Sequence, residues 1–516
     1  MESRRHNRIL TVIVLPVWVV YLVLIWVYRF IPSVDYPEWL FQANILLHYI
    51  DPESSFSQWY DLIPAPVPNA GFVLPTALLS VFIPIETSGK IILSLYIIWF
   101  PLAVRSFYNS IGQHPWYWVI GILLLFNISF FNGNLSFLIG LCLLFSALAR
   151  WERRKGRFKF RDYFTAVVIA FMIFLSHAVC ALVYLLYCLV RVFEKGSKPT
   201  EKRVVAVSAI EILTLTALYL VTKPKDSMIT VVNWLPDLQY RVFLLTKPFF
   251  IGWAYPPFEF SLFRFLITSF FVVVGLTMTA CAFRSVKEKF PQSAIAKLTV
   301  AVTLLMFLGP KHIFGIAELS HRFALIWFPL MIGFTRIPLR LNSVVIWTLI
   351  ALTYVTTVVR LKDYHDSSLI ISKRHEFLQQ HIEPGYPLLT LDDDLGERKA
   401  QFHHLVPKGV SFTFQADYFM MNGGYNPFSF PTAFLVPRDT FIFLFYNLTT
   451  KGGLDGVLGL RGTDIHDQIR YIIIDTASDW GTRLANGLAP HFRIISEAEV
   501  TKGVRTIILE RASLNA

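Results

Sequence analysis

The sequence predicts a polytopic α-helical membrane protein, with about eleven spans over residues 1–359 followed by an extracytoplasmic α/β domain over 360–516. Three observations carry this. First, 54% of the 516 residues are hydrophobic and 16% charged, with a mean hydropathy of +0.52, too apolar for a chain whose whole surface meets water. Second, the hydrophobic residues gather into long runs separated by short basic clusters, the pattern of membrane spans joined by cytoplasmic loops. Third, the last third carries short β-branched runs between helical or Gly/Pro-rich stretches, the signature of a small α/β unit.

The net charge of +12 raises nucleic acid as a partner. The cations sit between apolar runs and build no basic face, so the partner they imply is the lipid bilayer and not nucleic acid. Cys142, Cys180, Cys188 and Cys281 all lie inside apolar runs without CxxC spacing, so neither a disulfide framework nor a zinc site is indicated. They read as packing residues.

Taken in order, the basic start and the apolar run after Ile9 read as a retained first helix, 9–31, because the run is long and no small-residue cleavage site follows. With its basic flank inside, Ser33 to Gly71 reaches the exterior. Residues 72–85 are apolar but short and hold Pro75 and Pro84, so they form an interfacial or re-entrant segment within the exterior loop 32–88. Spans at 89–107, 116–131 and 135–149 follow, with an exterior turn at Asn132-Gly133-Asn134. The basic stretch Arg150–Arg161 is then cytoplasmic. Basic clusters flank 163–192 on both sides, which calls for two short helices folded back at Ser176-His177. Spans at 204–221, 260–283, 297–309, 322–334 and 342–359 complete the set, with an aromatic exterior loop over 222–259. Strands are expected at 387–391, 471–475, 493–496 and 506–510; no Gly-rich phosphate loop follows them and no internal repeat is visible.

Asp35 is the leading chemical candidate. It stands one step beyond the exterior end of the first helix, where a carboxylate meets both water and headgroups and can serve as a general base. It also stands at N-cap spacing before a helix over 38–49, so a capping role remains open beside the catalytic one. Glu38 and His48 on that short helix can support Asp35 or bind a sugar hydroxyl. Lys311, His312, His321 and Arg322 gather cations at one exterior rim, with Glu318 nearby. An arginine fork suits phosphate oxygens, and snorkelling to ordinary headgroups is the alternative. His177 at the hairpin apex must face a cavity or a protein partner, and Glu211 inside a span is an intramembrane acid of the kind transporters use. Asp392-Asp393-Asp394 reads as a solvated turn at a strand end, His403-His404 is a weak pair, and the loop Tyr418 to Pro427, with Gly423-Gly424, can lie over a sugar.

This layout resembles the GT-C superfamily of membrane glycosyltransferases, which includes protein O-mannosyltransferases, aminoarabinose transferases and the catalytic subunit of oligosaccharyltransferase. The resemblance rests on a first exterior loop bearing an acid (Asp35), an exterior turn after the third span, several further spans and an exterior C-terminal domain. It implies a GT-C-like fold, a polyprenyl-phosphate or polyprenyl-pyrophosphate sugar donor, and an inverting displacement assisted by Asp35, with a glycan, lipid or protein as acceptor. The family's second exterior turn often carries an acid, sometimes for a metal. Here it reads Asn132-Gly133-Asn134, which leaves the second polar site to Asn132, Asn134 or His177 and names no cofactor, with a divalent metal still possible. The expected location is a bacterial inner membrane with the C-terminal domain outside. Two other functions stay open: a transporter or flippase of an envelope precursor, favoured by Glu211 and the broken hairpin, and a non-catalytic envelope-assembly protein. An O-antigen-ligase-like transferase is a variant of the first reading.

Overall fold

The computed structural model describes residues 2–52, 54, 56–63, 65–194, 197–222, 293–310, 319–335, 339–383, 388–392, 435–437, 469–476, 479–489, 491–501 and 504–512. The expected span 260–283, the loop 222–259 beyond its first residue, the cations Lys311 and His312, Glu318, Asp393-Asp394, His403-His404 and the loop 418–427 lie outside those residues.

The protein is an integral membrane protein built mainly of helices. Among the described residues, five helices are long and apolar enough to cross a membrane, and shorter apolar helices accompany them. The chain begins with α1 (Glu2–Val27), then α2 (Tyr36–His48), α3 (Phe56–Trp59) and strand β1 (Tyr60–Leu62). Next comes α4 (Val73–Ser80), whose eight residues rise only about 12 Å, too little to cross a hydrocarbon layer. Helix α5 (Ile85–Ser110) is long and apolar enough to cross one.

The expected span 116–131 is not one helix. It is a 3₁₀ turn at Pro115–Trp118, then α6 (Val119–Leu123), an interruption, and α7 (Ile128–Phe131). Side chains accept and donate where the helical ladder stops. Asn127 Oδ1 accepts from Phe130 N at 3.1 Å, and its Nδ2 donates to the Leu124 carbonyl at 2.7 Å. The Tyr96 hydroxyl donates to Leu125 O at 2.8 Å, and the buried Arg360 donates to Leu123 O at 2.7 Å. With its freed carbonyls answered, a broken helix is tolerated inside an apolar core.

Helix α8 (Leu135–Arg154) is likewise long and apolar enough to cross, and α9 (Arg161–Ser176) and α10 (Ala178–Val192) follow, meeting at His177, whose backbone is extended (φ −166°, ψ 135°). The two helices fold back on each other. Ser208 shows this, donating to Ala166 O near the start of α9 and meeting the Tyr184 hydroxyl in α10, both at 3.2 Å. Helix α11 (Pro199–Thr222), α12 (Ala294–Leu308) and α13 (Leu319–Phe334) complete the described bundle before a last long helix, α14 (Leu339–Gln379).

A helix ending at 359 was expected, and α14 instead runs 41 residues, carrying the chain through the boundary at 360 without a break. No glycine or proline occurs from Leu339 until Pro384, so nothing local stops the helix where hydropathy falls. Beyond it β2 (Leu388–Asp392), β3 (Leu435–Pro437), β4 (Tyr471–Thr476), helix α15 (Asp479–Leu488), β5 (Phe492–Thr501) and β6 (Val504–Arg511) are described. Four strands form one sheet in the order β2-β4-β6-β5, with β2 parallel to β4 and the other pairs antiparallel. The fully buried run Tyr471–Thr476 is what a central strand covered on both faces requires.

Two hydrophobic cores share α2. Tyr36, Trp39, Leu40 and Ala43 belong to the bundle core, whereas Phe41 and Ile45 pack with Ile472, Ile474, Leu484 and Ile508 under the sheet. A second tie is the small antiparallel pairing of β1 with β3. The first loop and the sheet therefore hold one another, and Asp35, directly before α2, stands at their junction.

Candidate functional site

The segment Ser33-Val34-Asp35 is fastened to the end of the broken helix by backbone carbonyls that α7 leaves open. Ser33 Oγ donates to Phe130 O at 2.7 Å, Val34 N to Phe131 O at 2.8 Å, and the Trp39 indole to Gly133 O at 2.6 Å. A helix end must find such donors, and here the first loop supplies them. Gly133 has φ +82°, and a Cβ there would stand 2.5 Å from both the Cβ and the backbone nitrogen of Asp35. Only glycine fits a left-handed turn pressed this closely against another chain segment. Gly133→Ala is expected to cost on the order of 1–3 kcal/mol and to push Asp35 off its position, which thermal unfolding of the purified protein and an activity assay measure separately.

Asn134 follows Gly133 directly and starts α8. Its Oδ1 accepts from Arg322 Nη2 at 2.6 Å, and the other terminal nitrogen of Arg322, Nη1, donates to His177 Nε2 at 3.0 Å. Phe137, one turn into α8, packs edge-on to the His177 ring at 5.2 Å and lies 6.0 Å below the guanidinium. Arg322 is thereby held between two chain breaks, the turn before α8 and the α9–α10 junction. A third segment closes the same region. Ala70 N donates to Leu175 O at 2.8 Å, Phe72 N to Ser136 Oγ at 3.0 Å, and Ser136 Oγ in turn to Asn69 O at 2.7 Å.

His177 faces two donors. Val179 N–H points at its Nδ1 at 3.1 Å, capping α10, while Arg322 reaches Nε2. A neutral imidazole has one acceptor nitrogen, so it satisfies either the cap or the arginine.

Of the residues singled out from sequence, Asp35, Asn132, Asn134, His177 and Arg322 come together around the 132–134 turn and its partners. Asp35 is half-buried, and its side chain makes no capping bond to α2. Glu38, in the first turn of α2, is fully buried and accepts from Gln42 Nε2 at 2.5 Å. His48 does not join them. It ends α2, about 20 Å along the helix from Asp35, and pairs with Asp51 at 3.6 Å. His321 is buried beside Arg322 at the start of α13. Glu211 lies half-buried midway along α11, away from both helix ends. No group of three or more metal-ligating side chains occurs among the described residues.

Sequence reasoning passed over Asn127, Tyr96, Phe137 and Arg360. The signal for Arg360 was present, a cation directly after an apolar run, but it was assigned to the start of the soluble part. Depth along α8 is also informative. Its 20 residues from Leu135 to Arg154 rise about 30 Å, so the Asn134 cluster and the basic stretch 150–161 lie about one hydrocarbon thickness apart.

No family model matches the sequence, and a search of curated proteins finds no match. Among solved structures, the crystal structure of ArnT from Cupriavidus metallidurans bound to undecaprenyl phosphate is similar to this chain, with 12% sequence identity, a TM-score of 0.47 and 98% of each chain covered.

Proposed function

We propose that this chain is an inverting membrane glycosyltransferase that moves a sugar from a polyprenyl-phosphate or polyprenyl-pyrophosphate donor to a lipid, glycan or protein acceptor. The observation that supports it best is that Asp35 and Arg322 are both seated on the 132–134 turn, the backbone and Cβ of Asp35 against Gly133 and the Arg322 guanidinium on Asn134. The bond-making step needs both. As the acceptor hydroxyl or amine attacks the anomeric carbon, Asp35 takes its proton, the bond from that carbon to the phosphate oxygen breaks, and the phosphate leaves with the electron pair. Arg322 meets the charge that develops on the phosphate, with a planar fork matched to its oxygens. Asn134 and His177 aim that fork before substrate arrives, so little reorganisation is required.

In this reading residues 1–359 form the GT-C-like membrane domain, residues 360–516 the unit over the exterior face, and the basic ends of α8 to α11 lie in the cytoplasm of a bacterium. A transport reading would rest on Glu211, and that residue stands at another depth from the cluster.

The direct test is donor-lipid binding. Full-length protein in nanodiscs should bind polyprenyl phosphate, and Arg322→Gln should weaken that binding by about 10- to 100-fold, the worth of a charge-assisted hydrogen-bonded contact. Equal binding by the two proteins removes Arg322 from the donor site.

A further inference from the structure

At the end of the bundle opposite Asp35, charge is sorted by depth. Between Arg150 and Arg203 there are twelve lysines and arginines against four acids. All four acids turn inward. Asp162 is fully buried, pairs with Arg150 at 3.4 Å and accepts from Lys159 N at 2.7 Å. Glu194 and Glu201 both bridge the fully buried Arg191, and Glu194 also holds Lys155 at 3.2 Å. Glu152 accepts from the Tyr187 hydroxyl at 2.8 Å. What remains outside is cationic: Arg153, Arg157, Lys159 and Arg161 are exposed, and none has an acid partner among the described residues.

The loop carrying these cations is held in shape. Gly156, at φ +72°, donates its N–H to Glu201 at 3.2 Å and accepts from Lys198 Nζ at 3.2 Å. Arg157 N donates to Arg154 O at 2.8 Å, and Phe158 stacks on the buried Trp151 at 5.6 Å. Among the cations, three large aromatic rings are left in the open: Phe160 is 89% exposed, Phe193 78% and Phe164 76%. Water alone gives no reason to present three bare rings beside a cationic loop. A phospholipid surface does, because the cations meet headgroup phosphates while the rings enter the acyl boundary.

We propose that this collar is a built docking site for acidic glycerophospholipids of the leaflet on that side. It holds their headgroups on Arg153, Arg157, Lys159 and Arg161, and Phe160, Phe164 and Phe193 anchor its depth. Preorganisation of the loop distinguishes it from loose cationic tails, since little ordering entropy is lost when lipid binds. The site is independent of Asp35 and Arg322, and it applies equally to a transferase or a transporter.

The test uses the full chain purified in detergent and exposed to phosphatidylglycerol or phosphatidylcholine, with bound lipid counted by native mass spectrometry. Wild type should retain phosphatidylglycerol preferentially, with the preference falling as salt rises. The triple variant Arg157→Gln, Lys159→Gln, Arg161→Gln should lose that preference by about ten-fold or more, since each cation at such a surface contributes substantially. These side chains are exposed, so the variant should keep its size-exclusion profile and melting temperature. If it does not fold, Phe160→Ser alone, expected to shorten the retention of phosphatidylglycerol, decides the matter. Equal retention of both lipids by wild type, or unchanged preference in the folded variants, overturns the proposal. Displacement of the bound species by inorganic phosphate at millimolar concentration also overturns it, by showing a site for a free anion.

Discussion

Asp35→Asn is expected to lower the rate of sugar transfer by a factor on the order of 10²–10⁴, the usual contribution of a positioned general base, while leaving the melting temperature within a degree or two. The amide has the size and shape of the carboxylate and keeps an acceptor oxygen, but it cannot take a proton at neutral pH. The fold loses little. The Asp35 side chain does not cap α2, and its backbone contacts are untouched by the change: its carbonyl accepts from Trp39 N at 3.0 Å, and its Cα region packs on Gly133. Single-turnover transfer from a polyprenyl-phosphate sugar, read beside polyprenyl-phosphate binding, separates the two roles at this turn. Asp35→Asn should bind donor lipid normally and fail in chemistry, whereas Arg322→Gln should fail in binding. Full transfer by Asp35→Asn ends the assignment of Asp35 as base.

The second large effect is structural. Arg374, on the extended part of α14, donates through Nε and Nη2 to the two carboxylate oxygens of Asp475 at 3.2 and 2.7 Å, and Thr506 Oγ1 donates to the same carboxylate at 2.6 Å. Arg374 and Asp475 are both buried. Arg374→Leu leaves a buried carboxylate without its counter-charge and is expected to cost about 3–5 kcal/mol. The double variant Arg374→Leu with Asp475→Leu should recover much of that loss, because the expensive state is the single charge and not the missing pair. Limited proteolysis reports it: the single variant should be cut within the C-terminal sheet faster than wild type or the double variant. Because Phe41 and Ile45 of α2 share the core under that sheet, the single variant should also lose activity, despite touching nothing near Asp35.

Legibility from sequence followed the reach of each interaction. Hydropathy and β-branched runs place α5, α8, α11 and the four sheet strands within a few residues, since those elements answer to solvent and local propensity. The break at His177 was readable as well, because basic clusters on both flanks of one apolar run demand a return. The break at Leu124–Asn127 was not readable. An apolar residue has the same hydropathy in a continuous helix as in a broken one, and the partners that make the break tolerable, Tyr96 and Arg360, are remote in sequence. Among the site residues, Asp35 was visible by position alone. Arg322 was paired with it in function and His177 was set on the same face, but the contacts that join them were not legible.

What the sequence by itself determined is that this chain lives in a bilayer, which of its segments are apolar helices or strands, and which few polar residues stand at their ends. Hydrophobic periodicity and charge spacing are written locally and read locally. Only the tertiary structure decided that Arg322 meets Asn134 and His177 across 188 and 145 residues, that Gly133 seats against Asp35, and that α2 lies in two cores at once. Those contacts depend on which chain ends are left with unsatisfied carbonyls and on which side chains can reach them, and composition and spacing along the chain carry no record of that geometry.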